Sequence, residues 1–222
     1  MRTLFFSFLS LNLFAQLPGN GVIDIDKNHY KSVIIGKQEW MVENLRTTRY
    51  SNGDLIPNVE DSVLWQELTS GAWANYNNDN SFENPYGKLY NWYTVSDTRN
   101  VCPTGWHVPS DKEWTALTDY LGGFNVAGIK MKSRNGWDER GNGTNQVGFT
   151  GLPSGYRNHK GQFIHMGKYA PWWSSTEDRK YDLPTAWRRE LHFFNLNEPH
   201  GNVGKNTYIM TSGLPLRCVK NK

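Results

Sequence analysis

The sequence is short of cysteine, of charge of one sign and of long apolar runs, and each shortage closes off a class of function. Only Cys102 and Cys218 stand in 222 residues. A zinc site needs three or four ligands at matched spacing. The six histidines (His29, His107, His159, His165, His192 and His200) form no H-x-x-x-H or H-E-x-x-H, and there is no C-x-x-C. His107, beside Cys102, therefore reads as a packing residue, since nucleophilic catalysis would need a thiolate, a base and an orienting group together. A formal net charge of +3 is too weak for nucleic-acid binding, which takes a concentrated basic patch. Beyond residue 16 no stretch approaches the roughly 20 apolar residues of a membrane span. No Pro- or Ser-rich linker and no charge block interrupts the chain, so a single domain over 17–222 is expected.

What the chain has in excess is rings. Ten Trp, eleven Tyr and ten Phe make it 14% aromatic, beside 21 Gly. Such a composition builds its core from aromatic side chains held between irregular loops. The start, "MRTLFFSFLSLNLFAQ", has the layout of a secretory signal peptide over residues 1–16: one basic residue, Arg2, an apolar core, and a small residue, Ala15, near the cut. With Leu13 at the third position before the cut, the cleavage point is not fixed. The expectation is an exported protein, secreted, periplasmic or on the cell surface. In that compartment two cysteines are most simply one disulfide, Cys102–Cys218.

Periodicity places the elements. Residues 22–43 alternate apolar and polar and predict strands at Val22–Asp26, Tyr30–Ile35 and Gln38–Glu43, with Gly36-Lys37 as a turn. "DIDKNHY" imitates the opening of an EF-hand loop without its later Gly and Glu, and strand alternation accounts for it. Asp61 as N-cap, with Leu64, Trp65 and Leu68 on one face and Gly71 as the stop, predicts a helix. Leu89, Trp92, Tyr93 and Ser96 predict another. Ser110 and Glu113 form a capping box ahead of Trp114, Leu117 and Leu121, and Gly122-Gly123 ends that helix. From Gly123 onward the pattern gives loops and short strands at "QFIHM", "PWWSST", "AWRRELHFFN", "TYIMT" and "LPLRCVK". Helices first and antiparallel strands later make the class α+β.

Six stretches in order carry a family resemblance: "IGKQEWMVENLRTTRYSNGDLIPNV" (35–59), "YGKLYNWYTVSD" (86–97), "CPTGWHVPSDKEWTALTDYLGG" (102–123), "GFTGLPSGYRNHKGQF" (148–163), "WWSSTE" (172–177) and "GLPLRCVK" (213–220). Over about residues 30–220 the chain resembles the Fibrobacter succinogenes major paralogous domain. That family is similar in turn to the formylglycine-generating enzyme and the C-type lectin-like fold. The resemblance implies a loop-rich antiparallel core framed by a helix opening at Val108–Trp114 and by a final "RC" strand. The formylglycine-generating enzyme uses a pair of cysteines that hold copper. Cys102 and Cys218 occupy framing positions instead, so no enzyme of that kind and no cofactor is expected.

The candidate binding residues follow from the same comparison and from the rings. "NEPHGN" (Asn197 to Asn202) is similar to the Glu-Pro-Asn sugar signature of calcium-dependent lectins, with His200 where an amide should be. Calcium needs six to eight hard oxygens, and only Asn197, Glu198 and Asn202 are local. Trp172 and Trp173 must point to opposite faces of a strand, so on a one-sided sheet at most one is core. Trp187 with Arg188, Arg189 and Glu190 offers a ring beside hydrogen-bonding groups. Trp172, Trp173, Trp187, Arg188, Glu198 and Asn202 are thus the candidate ligand residues, with no catalytic residue among them. The leading expectation is an exported, non-catalytic binding or cell-surface interaction module for glycan or protein. An enzyme with an unrecognised site and a purely structural part of a surface assembly are the alternatives.

Overall fold

A computed structural model describes residues 16–138, 140–178, 184–192 and 201–222. Residues 1–15 of the expected signal segment lie outside them. The strands are β1 (Leu17–Pro18), β2 (Val22–Ile23), β3 (His29–Tyr30), β4 (Ser32–Ile35), β5 (Gln38–Met41), β6 (Trp73–Ala74), β7 (Leu89–Tyr90), β8 (Trp106–His107), β9 (Ser154–Arg157), β10 (Phe163–Met166), β11 (Tyr169–Asp178), β12 (Thr185–His192), β13 (Val203–Ile209) and β14 (Val219–Lys220). The helices are α1 (Ser62–Gln66), α2 (Glu83–Tyr86), α3 (Trp92–Val95), α4 (Asp111–Tyr120) and α5 (Phe124–Met131). The larger sheets run β1-β4-β5-β14-β8 and β11-β12-β13, and all strand pairs are antiparallel. The class is α+β.

In the N-terminal third, alternation gives two hairpins. The β4–β5 turn sits on Gly36, at a φ of 62° that glycine adopts without a Cβ penalty. The first hairpin is shorter than its pattern predicts. Asp24 leaves the ladder, and its carboxylate accepts from the Asn28 N–H, the Asn28 side chain and the Tyr30 hydroxyl. "DIDKNHY" is therefore a carboxylate-held turn rather than continued strand. Asp26 faces away from it and accepts from Thr47 and Thr48.

Asp61 caps α1 as expected, accepting from the backbone of Val63 and Leu64. The helix stops at Gln66, well before Gly71, and of its expected apolar face only Trp65 and not Leu64 is buried. The expected helix through Leu89 is also cut short. Leu89–Tyr90 pairs with Trp73–Ala74 as a strand, and Asn91 then caps the single turn of α3. The β-favouring aromatics there outweighed the helical spacing. In contrast, α4 carries its capping box intact, and Trp114, Leu117 and Leu121 are fully buried.

Helix α5 is a correction to the reading of the chain after Gly123 as loops and strands. It has no side-chain cap, and Gly123 precedes it at a φ of 93°, so the usual start signal is missing. "TYIMT" is shifted: its strand is β13, and Met210 and Thr211 already lie in the following turn. Of "LPLRCVK" only Val219–Lys220 is strand, inserted between β5 and β8. The last three residues of "AWRRELHFFN" lie outside the described residues. Ser154–Arg157, which pairs with β10, is a strand that periodicity did not announce.

The β11-β12-β13 sheet separates two apolar cores. Trp173 and Ala186 join one with Tyr90, Trp92, Trp106 and both cysteines. Trp172, Ala170, Leu191 and Val203 join the other with Trp40, Trp114 and Phe149. The sheet is covered on both faces, so both neighbouring tryptophans are core, against the one-sided expectation. Cys102 and Cys218 are disulfide-bonded across 116 residues. Closing so long a loop restricts the unfolded chain by about 4–5 kcal/mol in loop-closure terms.

Candidate binding site

The expected ligand residues divide according to the two faces of the β11-β12-β13 sheet. Register puts Trp173, Arg188 and Asn206 side by side, and Trp172, Arg189 and Lys205 in the next row. Alternation sends the two rows to opposite faces. Trp172 and Trp173 are both buried, and their indole N–H groups are spent internally, on Asn44 Oδ1 (2.8 Å) and the Tyr90 carbonyl (2.9 Å). Neither ring offers a face to a ligand.

Arg188 is buried on the Trp173 face. Its guanidinium lies 3.7 Å from the centre of the Tyr208 ring and pairs with Glu190 at 2.6 Å. Asn206 donates to the other Glu190 oxygen, and the Tyr208 and Tyr156 hydroxyls are hydrogen-bonded to each other. Burial, with that hydroxyl contact, raises the Tyr156 phenol well above its ordinary range. Glu190 and the paired hydroxyls hold this group together and β9 against the sheet, while Arg188 Nε and Nη1 have no hydrogen-bond partner among the described residues.

The opposite face opens onto a cavity of about 640 Å³ between α4, the start of α5 and β13. Its wall contains Thr115, Thr118 and Asp119 of α4, Phe124 of α5, Arg189 of β12, and Asn202 to Asn206. One carboxylate organises it. Asp111, in the first turn of α4 where negative charge is favoured, binds Arg189 Nη1 at 2.5 Å and Lys205 Nζ at 2.7 Å. Arg189 also donates to Thr115 Oγ1 at 2.9 Å. Burial lowers the Arg189 guanidinium, and Asp111 opposes that shift. The two cations are therefore held in the wall as part of it, and the cavity is near neutral.

Gly128 places the other wall. Its N–H donates to the Gly201 carbonyl at 2.6 Å, and a Cβ there would sit 2.6 Å from the carbonyl oxygens of Gly201 and Asn202. Only glycine lets the chain leading into β13 lie that close to α5. The consequence is at Asn202, whose Oδ1 is buried and has no hydrogen-bond partner among the described residues. Phe124, 61% exposed, stands across the same cavity. The unsatisfied acceptor and the open ring are the two features of this site that internal packing does not explain.

Of the expected residues, the structure brings Asn202 to this cavity. Trp187 lies on the same face of the sheet, half-buried under the Lys205 ammonium at 4.3 Å. Glu198, with Asn197 and His200, lies outside the described residues. Among the described residues no three His, Cys, Asp or Glu side chains gather as a metal would require. His107 bridges structure: its ring nitrogens meet Glu113 Oε1 at 2.9 Å and Asn221 Oδ1 at 2.6 Å, joining α4 to the segment after β14. Sequence reasoning missed Phe124, Thr115, Thr118 and Asp119. Their signal was present: Thr115 and Asp119 face away from the Trp114-Leu117-Leu121 stripe, and an aromatic follows the Gly-Gly stop directly.

Residues 33–220 match the Fibrobacter succinogenes major domain. The chain belongs to that family. The family domain begins inside β4 and ends with β14, so it contains the disulfide, the second core, the first core apart from Tyr30 and Val22, and every residue of the cavity wall. No curated protein and no solved structure matches the chain. No helix among the described residues is long and apolar enough to cross a membrane.

Proposed function

We propose that this member of the family is an exported, non-catalytic binding module, that it uses a C-type lectin-like scaffold of the formylglycine-generating-enzyme kind, and that its ligand is a glycan held between α4, α5 and β13. Export is supported by the leader-like residues 1–16 and by a disulfide, which persists in oxidising compartments. The scaffold reading is supported by the antiparallel sheets, the short helices and the tie between the segment preceding α4 and the last strand.

The observation that carries the ligand reading is the pairing of an exposed ring, Phe124, with the unsatisfied Asn202 oxygen across a cavity of about 640 Å³. Small-ligand sites combine an apolar surface with a few fixed polar groups at this size. A sugar presents a C–H face that packs on a ring and hydroxyls that donate to an amide oxygen. Asp119 and Thr115 supply further acceptors, and the neutral balance of charge favours an uncharged polyol. The test is a glycan array with and without calcium, run on the wild type, Phe124→Ala and Asn202→Ala. Binding lost in both variants supports the reading, and silence of the wild type in both conditions overturns it.

A second reading has its own observation. Val126 and Ile129 are exposed beside Phe124 on α5, and Tyr120 is exposed at the end of α4, an apolar surface suited to a protein contact within a surface assembly. Self-association or co-purification abolished by Val126→Glu, with no glycan bound, would favour it.

A further inference from the structure

A pair of adjoining cavities lies along the N-terminal strands. One, of about 720 Å³, runs along β1 and β4; the other, of about 370 Å³, runs between β5 and α2; they share Lys31, Val42, Glu43 and Thr150. The smaller is lined by three cations, Lys31, Arg46 and Arg217. None of the three makes a salt bridge among the described residues, though the charge of Glu43 reaches Arg217. Arg217 is fully buried and donates to neutral oxygens alone, the Asn44 amide and the Phe149 carbonyl. Arg46 donates from Nη2 to the His29 carbonyl and lies over the Tyr30 ring, while its buried Nε has no acceptor. The exposed Lys31 ammonium has no ion-pair partner among the described residues.

The carboxylates nearby do not cancel this charge. Glu83 is occupied by Lys88, itself buried. That leaves Glu43, which accepts the Lys31 backbone N–H at 2.8 Å. Three cations thus face one uncommitted carboxylate. Of the three only Arg217 is buried, Arg46 being half-buried and Lys31 exposed. A buried charge without a salt bridge is costly, and a cleft of one sign with low-dielectric walls concentrates ions of the other. Guanidinium groups favour carboxylate and phosphate oxygens through paired N–H donors.

We propose that the cavity between Lys31, Arg46 and Arg217 is an oxyanion site, taking the carboxylate or phosphate group of a small ligand whose remainder extends along the larger cavity. It is separate from the α4–α5 pocket, so either can fail alone. The test is thermal unfolding of the full chain at constant ionic strength, with chloride replaced stepwise by inorganic phosphate or by glucuronate. A saturable rise in Tm with phosphate assigns a phosphate-type site, and one with glucuronate alone assigns a carboxylate-type site. In Lys31→Gln/Arg46→Gln the midpoint concentration should rise at least tenfold, with Arg217 left in place to preserve the core. Absence of a saturable rise with either anion overturns the proposal. So does an unchanged midpoint in the double variant, which would make it an adventitious ion only.

Discussion

Asn44 and Arg217, separated by 173 residues, meet in the core through two hydrogen bonds to one oxygen: Arg217 Nη2 lies 2.9 Å and Nε 3.3 Å from Asn44 Oδ1. The same oxygen accepts the Trp172 indole N–H, and the Asn44 amide donates to the Tyr86 carbonyl. The guanidinium also lies 4.2 Å from the centre of the Phe149 ring. One side-chain amide therefore ties the segment after β5, the β11-β12-β13 sheet and the approach to β14 together.

Asn44→Ala removes the acceptor for three buried donors at once. Unpaired buried donors cost about 1–3 kcal/mol each, more when charged, and the losses overlap in one network. A destabilisation of about 3–4 kcal/mol is expected, read as a lower denaturant midpoint with little change in slope. A loss below about 1 kcal/mol would mean that water replaces the amide.

The disulfide gives the second prediction. Cys102→Ser and Cys218→Ser open the same loop, so their effects should agree, at about 2–5 kcal/mol each. The two sulfurs are bonded to each other, so the protein should show no reaction with a thiol reagent, native or unfolded without reductant. Variants that differ sharply, or free thiols that titrate, would contradict the bond.

How much of this was legible in sequence depended on whether the controlling interaction was local. The α4 capping box and the Asp61 cap lie within three residues of their partners, and both were readable. Helix α5 was not, because its start depends on Gly123 and its position on Gly128 meeting Gly201, seventy-odd residues away. Trp172 and Trp173 looked like ligand residues because a strand's period says that two neighbours face apart. It does not say that both sides are covered. Asn202 was singled out for a calcium motif, whereas its interest in the structure is an unsatisfied oxygen on a residue that lines the same cavity as Phe124.

A pH dependence follows from His107 and Glu113. The hydrogen bond to Glu113 raises the His107 imidazole above its ordinary value of about 6.5, against the effect of burial. Burial would raise Glu113, yet bonds from His107 and Ser110 outweigh it and bring it down to about 2. The histidine contribution is complete below about pH 6.5 and is lost as pH rises through the higher folded value. The glutamate contribution is complete above about pH 4.5 and is lost as pH falls toward 2. Both are present between about pH 4.5 and 6.5. His107→Gln should therefore cost stability in that window and less at pH 9, as a Tm series would show. A pH-independent difference would assign His107 to packing alone.

Gly128→Ala tests whether the cavity wall is set by the contact between α5 and the chain entering β13. On an isolated helix this change stabilises by roughly 0.5–1 kcal/mol, because alanine is the better helix former. Here the new Cβ would meet two backbone oxygens at 2.6 Å, and backbone cannot rotate away as a side-chain tip can. Gly201 and Asn202 must move outward, breaking the Gly128-to-Gly201 hydrogen bond. The steric term wins, and the net change is a loss of about 1–3 kcal/mol, the usual cost of overpacking. The displacement carries the Asn202 oxygen away from Phe124, so ligand affinity at this pocket should fall more than stability alone explains. A folded Gly128→Ala protein with undiminished binding would show that the Asn202 wall is not what holds the ligand.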